Sequence, residues 1–119
     1  MQKRIYLASP YSSDDPALRE SRYKAACSVT AQLLDKGNLV FSPIVHSHML
    51  AENYDLAGEF VFWSEWCLSF LRHWATHFAV LELAGWQESK GIAVEKRIAE
   101  ELGLPMLTAR SDFFRKGQI

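Results

Sequence analysis

The stretch Gly85-Trp86-Gln87-Glu88-Ser89-Lys90-Gly91-Ile92-Ala93-Val94-Glu95 decides the fold. An apolar run, Phe78-Ala79-Val80-Leu81, comes before it, and a helical pattern from Ala93 to Leu102 follows. That order reads as strand, glycine-punctuated polar loop, helix. Residues three, four and seven apart share one face of a helix, so Ile92, Ile98, Ala99 and Leu102 form a stripe with Glu95. The stripe turns toward the sheet, while Lys96, Arg97, Glu100 and Glu101 take the other side. A carboxylate is thus expected to point inward near the start of a helix. An unpaired inward carboxylate is costly unless something binds it. In one reading the helix N-terminus keeps Glu95 ionised and nucleophilic. In the other it caps the loop or pairs with Lys90 or Arg97.

Working back from this stretch, Lys3 to Ala8 is a short apolar run, a central strand, followed by the hydroxyl-rich loop Ser9-Pro10-Tyr11-Ser12-Ser13. Asp15 is placed as an N-cap and Pro16 as the first residue of a helix running to about Lys36, with Gly37 ending it. Its inward stripe is Leu18, Arg22, Ala25, Ala26, Val29 and Leu33. Arg22 is the odd member, readable as a snorkelling or salt-bridged residue or as a clamp on a carboxylate or phosphate. Leu39-Val40-Phe41 is a second strand, ended by Ser42-Pro43. His46 and His48 could chelate a metal were the chain extended there, but no third ligand is near. No metal is assigned, and His46 is placed at the substrate instead.

Ala51 to Gly58 reads as a polar connection and Glu59 to Ala75 as a long helix. That helix carries two aromatic stripes, Phe60-Trp63-Cys67-Phe70-Trp74 and Phe62-Trp66-Phe70. So much apolar surface calls for two partners: the sheet, and the same helix of a second subunit in a dimer or tetramer. A single enlarged core is the competing explanation. After the deciding stretch, Gly103 stops its helix and Leu104 to Thr108 forms a fourth strand. Arg110 to Ile119 reads as a short fifth strand or an arm reaching a neighbour.

Strands alternating with helices imply an α/β domain over residues 1–119, a flavodoxin-like three-layer sandwich. Right-handed crossovers make the simplest parallel sheet 2-1-3-4, with four strands, or five if the C-terminal stretch adds one, and helices on both faces. Winding then reverses between strands one and three. Ligands in such sheets bind at the carboxyl ends of the strands at that point. Ser9-Pro10-Tyr11 and Gly85 to Gly91 would face each other there across one crevice, with Glu95, Ser89, Arg22 and His46 converging on it.

Composition limits the alternatives. The chain has 119 residues, 49% of them hydrophobic, enough for one domain with a real core. A net charge of −1 with scattered basic residues gives no field for a polymeric nucleic acid or an acidic membrane. No segment is long and apolar enough to span a bilayer, and no secretory leader is expected. Cys27 and Cys67 sit in apolar helical patterns and read as buried free thiols of a cytoplasmic protein.

Two blocks resemble the nucleoside 2-deoxyribosyltransferase-like superfamily. Ile5-Tyr6-Leu7-Ala8-Ser9-Pro10-Tyr11-Ser12 is similar to its opening strand and loop. Gly85-Trp86-Gln87-Glu88-Ser89-Lys90-Gly91 running to Glu95 fits its S-x-G-x-x-x-E pattern. Phe41-Ser42-Pro43-Ile44-Val45-His46 adds a likeness to small uncharacterised bacterial members. The resemblance implies cleavage or transfer at the N-glycosidic bond of a deoxynucleoside or deoxynucleotide. Glu95 would be the nucleophile and Tyr6 would orient it or the sugar. Ser89 would bind a sugar or phosphate oxygen, Gly91 would let the backbone come close, and Gly85 and Trp86 belong to the same loop. No cofactor is implied. One departure stands out: relatives carry an Asp near the third strand to protonate the leaving base, and Leu71 to Phe78 holds none. Glu65, Asp55, His46 or His77 could substitute. The alternative is a non-catalytic nucleotide-binding or sensing module of the same fold. A third reading is an interaction protein built on the aromatic helix.

Overall fold

A computed structural model describes residues 2–56 and 60–110. Its elements are β1 (Arg4–Ala8), α1 (Pro16–Asp35), β2 (Leu39–Phe41), α2 (Pro43–Asn53), α3 (Phe60–His73), β3 (His77–Leu81), α4 (Lys90–Glu101) and β4 (Met106–Ala109). The strands form one parallel sheet in the order β2-β1-β3-β4. The suggested fifth strand or arm beyond Arg110 lies outside the described residues.

Alternation along the strands builds the layers. Ile5, Leu7, Ala79 and Leu81 face one side, with Ala26 and Val29 of α1 and Ile44 of α2. Tyr6, Ala8, Phe78 and Val80 face the other, with Cys67, Leu68 and Leu71 of α3 and Ile92 and Ala99 of α4. Two helices therefore cover each face, and both faces of the central strands are apolar because both are buried. This is the flavodoxin-like sandwich the alternating pattern implied.

The helix signals held for α1. Asp15 accepts from the Ala17 N–H at 2.9 Å, Pro16 opens the helix, and Gly37 leaves it with a φ of 94°. Its inward stripe is narrower than expected: Leu18 is exposed, and Gln32 and Thr30 are buried instead.

Helix α2 is the main correction. Ser42 caps it, its Oγ accepting from Val45 N–H at 3.2 Å, and Pro43 takes the first position. Ala51, Glu52 and Asn53 belong to this helix rather than to a polar connection. Because the backbone is helical, His46 and His48 point to different sides, and the extended chelate is not formed. Among the described residues no group of three or more His, Cys, Asp or Glu converges as metal ligands would.

Helix α3 buries Cys67 of the first stripe together with Leu68 and Leu71, and Trp63 and Phe70 are only partly buried against the same core. The aromatics straddle the edge of that face. Phe70 stacks on Phe41 with centroids 4.1 Å apart, while Val61, Phe62 and Trp66 stand open to solvent. Helix α4 starts at Lys90, not Ala93, and its last stripe residue, Leu102, is exposed at the C-cap. No helix among the described residues is long and apolar enough to cross a membrane.

Candidate functional site

A cavity of about 620 Å³ opens at the carboxyl ends of β1 and β3, within the range of small-molecule sites, roughly 300–1,000 Å³. The loop after β1 supplies Ser9, Pro10, Tyr11 and Ser12 to it, the turn before α4 supplies Gly85 and Ser89, and the first turn of α4 supplies Gly91. Arg22 reaches in from α1, and Glu95 lines it from α4. The sheet's switch point thus collects most of the residues that the sequence suggested.

Glu95 is 4% exposed, and Tyr6 beneath it is fully buried on β1. The Tyr6 hydroxyl donates to Glu95 Oε2 in a short hydrogen bond. Among the described residues no lysine or arginine pairs with Glu95, so the alternative pairing with Lys90 or Arg97 is not formed. Nor does the helix N-terminus keep it ionised. Burial pushes its pKa from an ordinary 4.5 up to about 7, with the Tyr6 hydrogen bond opposing. With α4 beginning at Lys90, Glu95 sits beyond the first turn, where the helix field has faded. The Tyr6 hydroxyl is held well above its ordinary range, first by burial and then by Glu95. Cys67 also lines the cavity. Burial and the nearby Glu95 push its thiol up to about 12, so it stays protonated.

One corner of the cavity is built from loop and helix ends. Ser89 caps α4, its Oγ accepting from Ile92 N–H at 3.2 Å, which leaves its hydroxyl proton to donate. Arg22 donates to Ser12 O and Ala84 O, each at 3.2 Å, and tethers the two loops. It is neither salt-bridged among the described residues nor reaching out into solvent. Its buried Nε has no hydrogen-bond partner, and neither does Ser9 Oγ. Gly85 has a φ of 90°, and a Cβ there would lie 2.9 Å from Arg22 Nη2. A side chain at position 85 would displace the guanidinium.

Besides Tyr6, which lies buried beneath Glu95, two suggested residues do not line the cavity. His46 turns onto α3, stacking on Trp66 at 5.1 Å and meeting Trp63 and Phe41. Trp86 packs against the core beneath α3 and α4. Helix geometry explains the first: one position on, Ser47 lines the cavity from α2. Sequence reading missed Trp63, Cys67, Ser47 and Glu88. The Ser42-Pro43 cap signal, the same type as Asp15-Pro16, would have revealed α2 and hence Ser47.

A comparison with curated proteins finds no match. Residues 3–110 match the model of a family described as a domain of unknown function, DUF1937. That span takes in β1, the cavity, α4 and β4, and the chain belongs to this family.

Proposed function

We propose that this protein cleaves or transfers at the N-glycosidic bond of a deoxynucleoside or deoxynucleotide, with Glu95 as nucleophile. The observation that carries the reading is a buried carboxyl, oriented by a buried tyrosine, on the wall of a cavity of about 620 Å³. A Glu95 oxygen attacks the anomeric carbon and the base departs with the bonding electrons. Water or a second base then resolves the glycosyl ester, with retention. A pKa of about 7 leaves part of the population ionised at neutral pH, and positive charge developing on the sugar favours that form. Ser89, Gly91 and Arg22 suit a sugar hydroxyl or a 5′-phosphate. The chemistry asks for no cofactor.

The test is incubation with a panel of deoxynucleosides and their 5′-phosphates, scored for free base and for a sugar adduct on Glu95. Release that disappears in Glu95→Ala supports the reading. No release across the panel sinks it.

A second reading, a non-catalytic nucleotide-binding or sensing module, is favoured by one observation. None of Glu65, Asp55, His46 and His77 lines the cavity where a leaving base would need a proton. A ligand-raised melting temperature without turnover would select it. The exposed Val61, Phe62 and Trp66 support self-association through α3. The free thiols Cys27 and Cys67 support a reducing, cytoplasmic setting.

A further inference from the structure

A base leaving a sugar carries away an electron pair, and a proton delivered to its ring nitrogen is worth roughly 10²- to 10⁴-fold in rate. Tyr11 lines the cavity. Its hydroxyl meets His48 Nδ1 at 2.6 Å, and His48 Nε2 meets Glu20 Oε1 at 3.0 Å. His48 is 2% exposed and is clamped under the Tyr23 ring, 4.3 Å away and nearly parallel. The Glu20 carboxylate is about half exposed, at 48%. Three hydrogen-bonded groups thus run from water, through a buried imidazole, to the cavity wall. A buried histidine needs partners for both nitrogens, and this arrangement supplies them. That need alone would be met by any two polar groups. It does not account for a line that ends in solvent on one side and at the cavity on the other. Burial and nearby Glu52 also raise the Tyr11 hydroxyl above its ordinary range, with Arg19 opposing, so it keeps its proton at neutral pH. Glu88 lines the cavity too, but from an exposed position with no group hydrogen-bonded to its carboxylate among the described residues.

We infer that Tyr11 is the acid that protonates the leaving base, recharged through His48 and Glu20. The inference rests on the Glu95 reading. As the bond from Glu95 to the anomeric carbon forms, the carbon–nitrogen bond breaks and its electron pair goes to the base. The Tyr11 O–H proton passes to that nitrogen, and a proton held on His48 Nδ1 passes to the Tyr11 oxygen. Glu20 holds the Nε2–H throughout. When water attacks the glycosyl ester, Glu95 leaves as carboxylate and the released water proton returns through Tyr11 to Nδ1. Tyr11 is the catalytic residue, while His48 and Glu20 act through it as positioning residues.

The experiment compares two probes: the purine deoxynucleoside or deoxynucleotide turned over best, and its N7-methyl derivative. The methylated ring already carries positive charge and leaves without a proton. Tyr11→Phe keeps the ring and its packing. It is expected to lower kcat about 100-fold on the first probe and less than about 10-fold on the second. Glu20→Gln, at a half-exposed position, is expected to show the same selectivity more weakly. Equal losses on both probes, no loss, or a selective loss in Glu88→Gln instead of Tyr11→Phe overturns the relay alone. Activity surviving in Glu95→Ala, or no wild-type turnover of either probe, removes the Glu95 reading and the relay together.

Discussion

Tyr6 and Glu95 share a hydrogen bond across 89 positions of sequence, with both side chains out of water. The tyrosine is the third residue of β1, and the glutamate comes from the second turn of α4. Their meeting places a titratable group inside the core at the edge of a cavity.

Glu95→Gln is expected to stabilise the protein in a pH-dependent way. The unfolded carboxyl titrates near 4.5 and the folded one near 7. Between those values the native state binds more protons than the unfolded chain. Stability from this group is therefore complete below about pH 4.5 and declines as pH rises through 7. The full difference is about 3 kcal/mol. Urea unfolding at about pH 5 should separate the variant from wild type only slightly, and at about pH 8 the variant should be more stable by about 2–3 kcal/mol. An equal gap at both pH values would contradict a raised folded pKa. Turnover should be lost in the same variant.

Tyr6→Phe removes the interaction that lowers the Glu95 pKa. The carboxyl then ionises at higher pH, and the acid limb of the rate profile follows it. At neutral pH the rate is expected to fall about tenfold and to recover as pH rises. A uniform drop at every pH would assign Tyr6 to sugar contact rather than to Glu95.

Gly85→Ala tests the loop tether. The left-handed φ of 90° costs an alanine about 1–2 kcal/mol, and its Cβ would push Arg22 Nη2 away from Ala84 O. Gly85→Ala and Arg22→Ala are both expected to weaken phosphorylated ligands more than their unphosphorylated counterparts, read by titration calorimetry. The absence of any such selectivity in Arg22→Ala would remove Arg22 from the proposed phosphate contact.

Trp66→Asp places a charge on the open face of α3 beside Phe62 and Val61. Sedimentation is expected to show a smaller species than wild type. Melting should fall only modestly, because Trp66 is half exposed and its ring contacts are with His46 and Phe70.

Ser42→Ala removes the α2 cap, and because Ser42 is buried no water replaces it. A loss of about 1 kcal/mol is expected, read by urea unfolding. Part of the cavity wall at Ser47 should loosen with it.

Local chemistry made much of this molecule legible. Asp15-Pro16 and Gly37 bracket α1, and the apolar runs at Ile5 and Phe78 locate two strands, because caps and periodicity act over a few residues. The same rules apply at Ser42-Pro43, which reads as the end of β2 and is also the start of α2. The aromatic stripes of α3 were visible, yet which face is buried depends on what packs there. Cys67 and Leu71 face Tyr6 and Phe78, and the larger rings are left at the margin.

The sequence by itself determined the order of the strands and of the helices other than α2, hence a parallel sheet with a crevice at the carboxyl ends of β1 and β3. It also marked Glu95 as an inward carboxylate. Only the tertiary structure decided the state of that carboxyl. Desolvation depends on everything packed around a group, and the Tyr6 hydroxyl that answers it comes from a distant strand. It also decided that Tyr11, His48 and Glu20 form one hydrogen-bonded line. They come from a loop and two helices and meet only when α1 and α2 pack together on one face of the sheet.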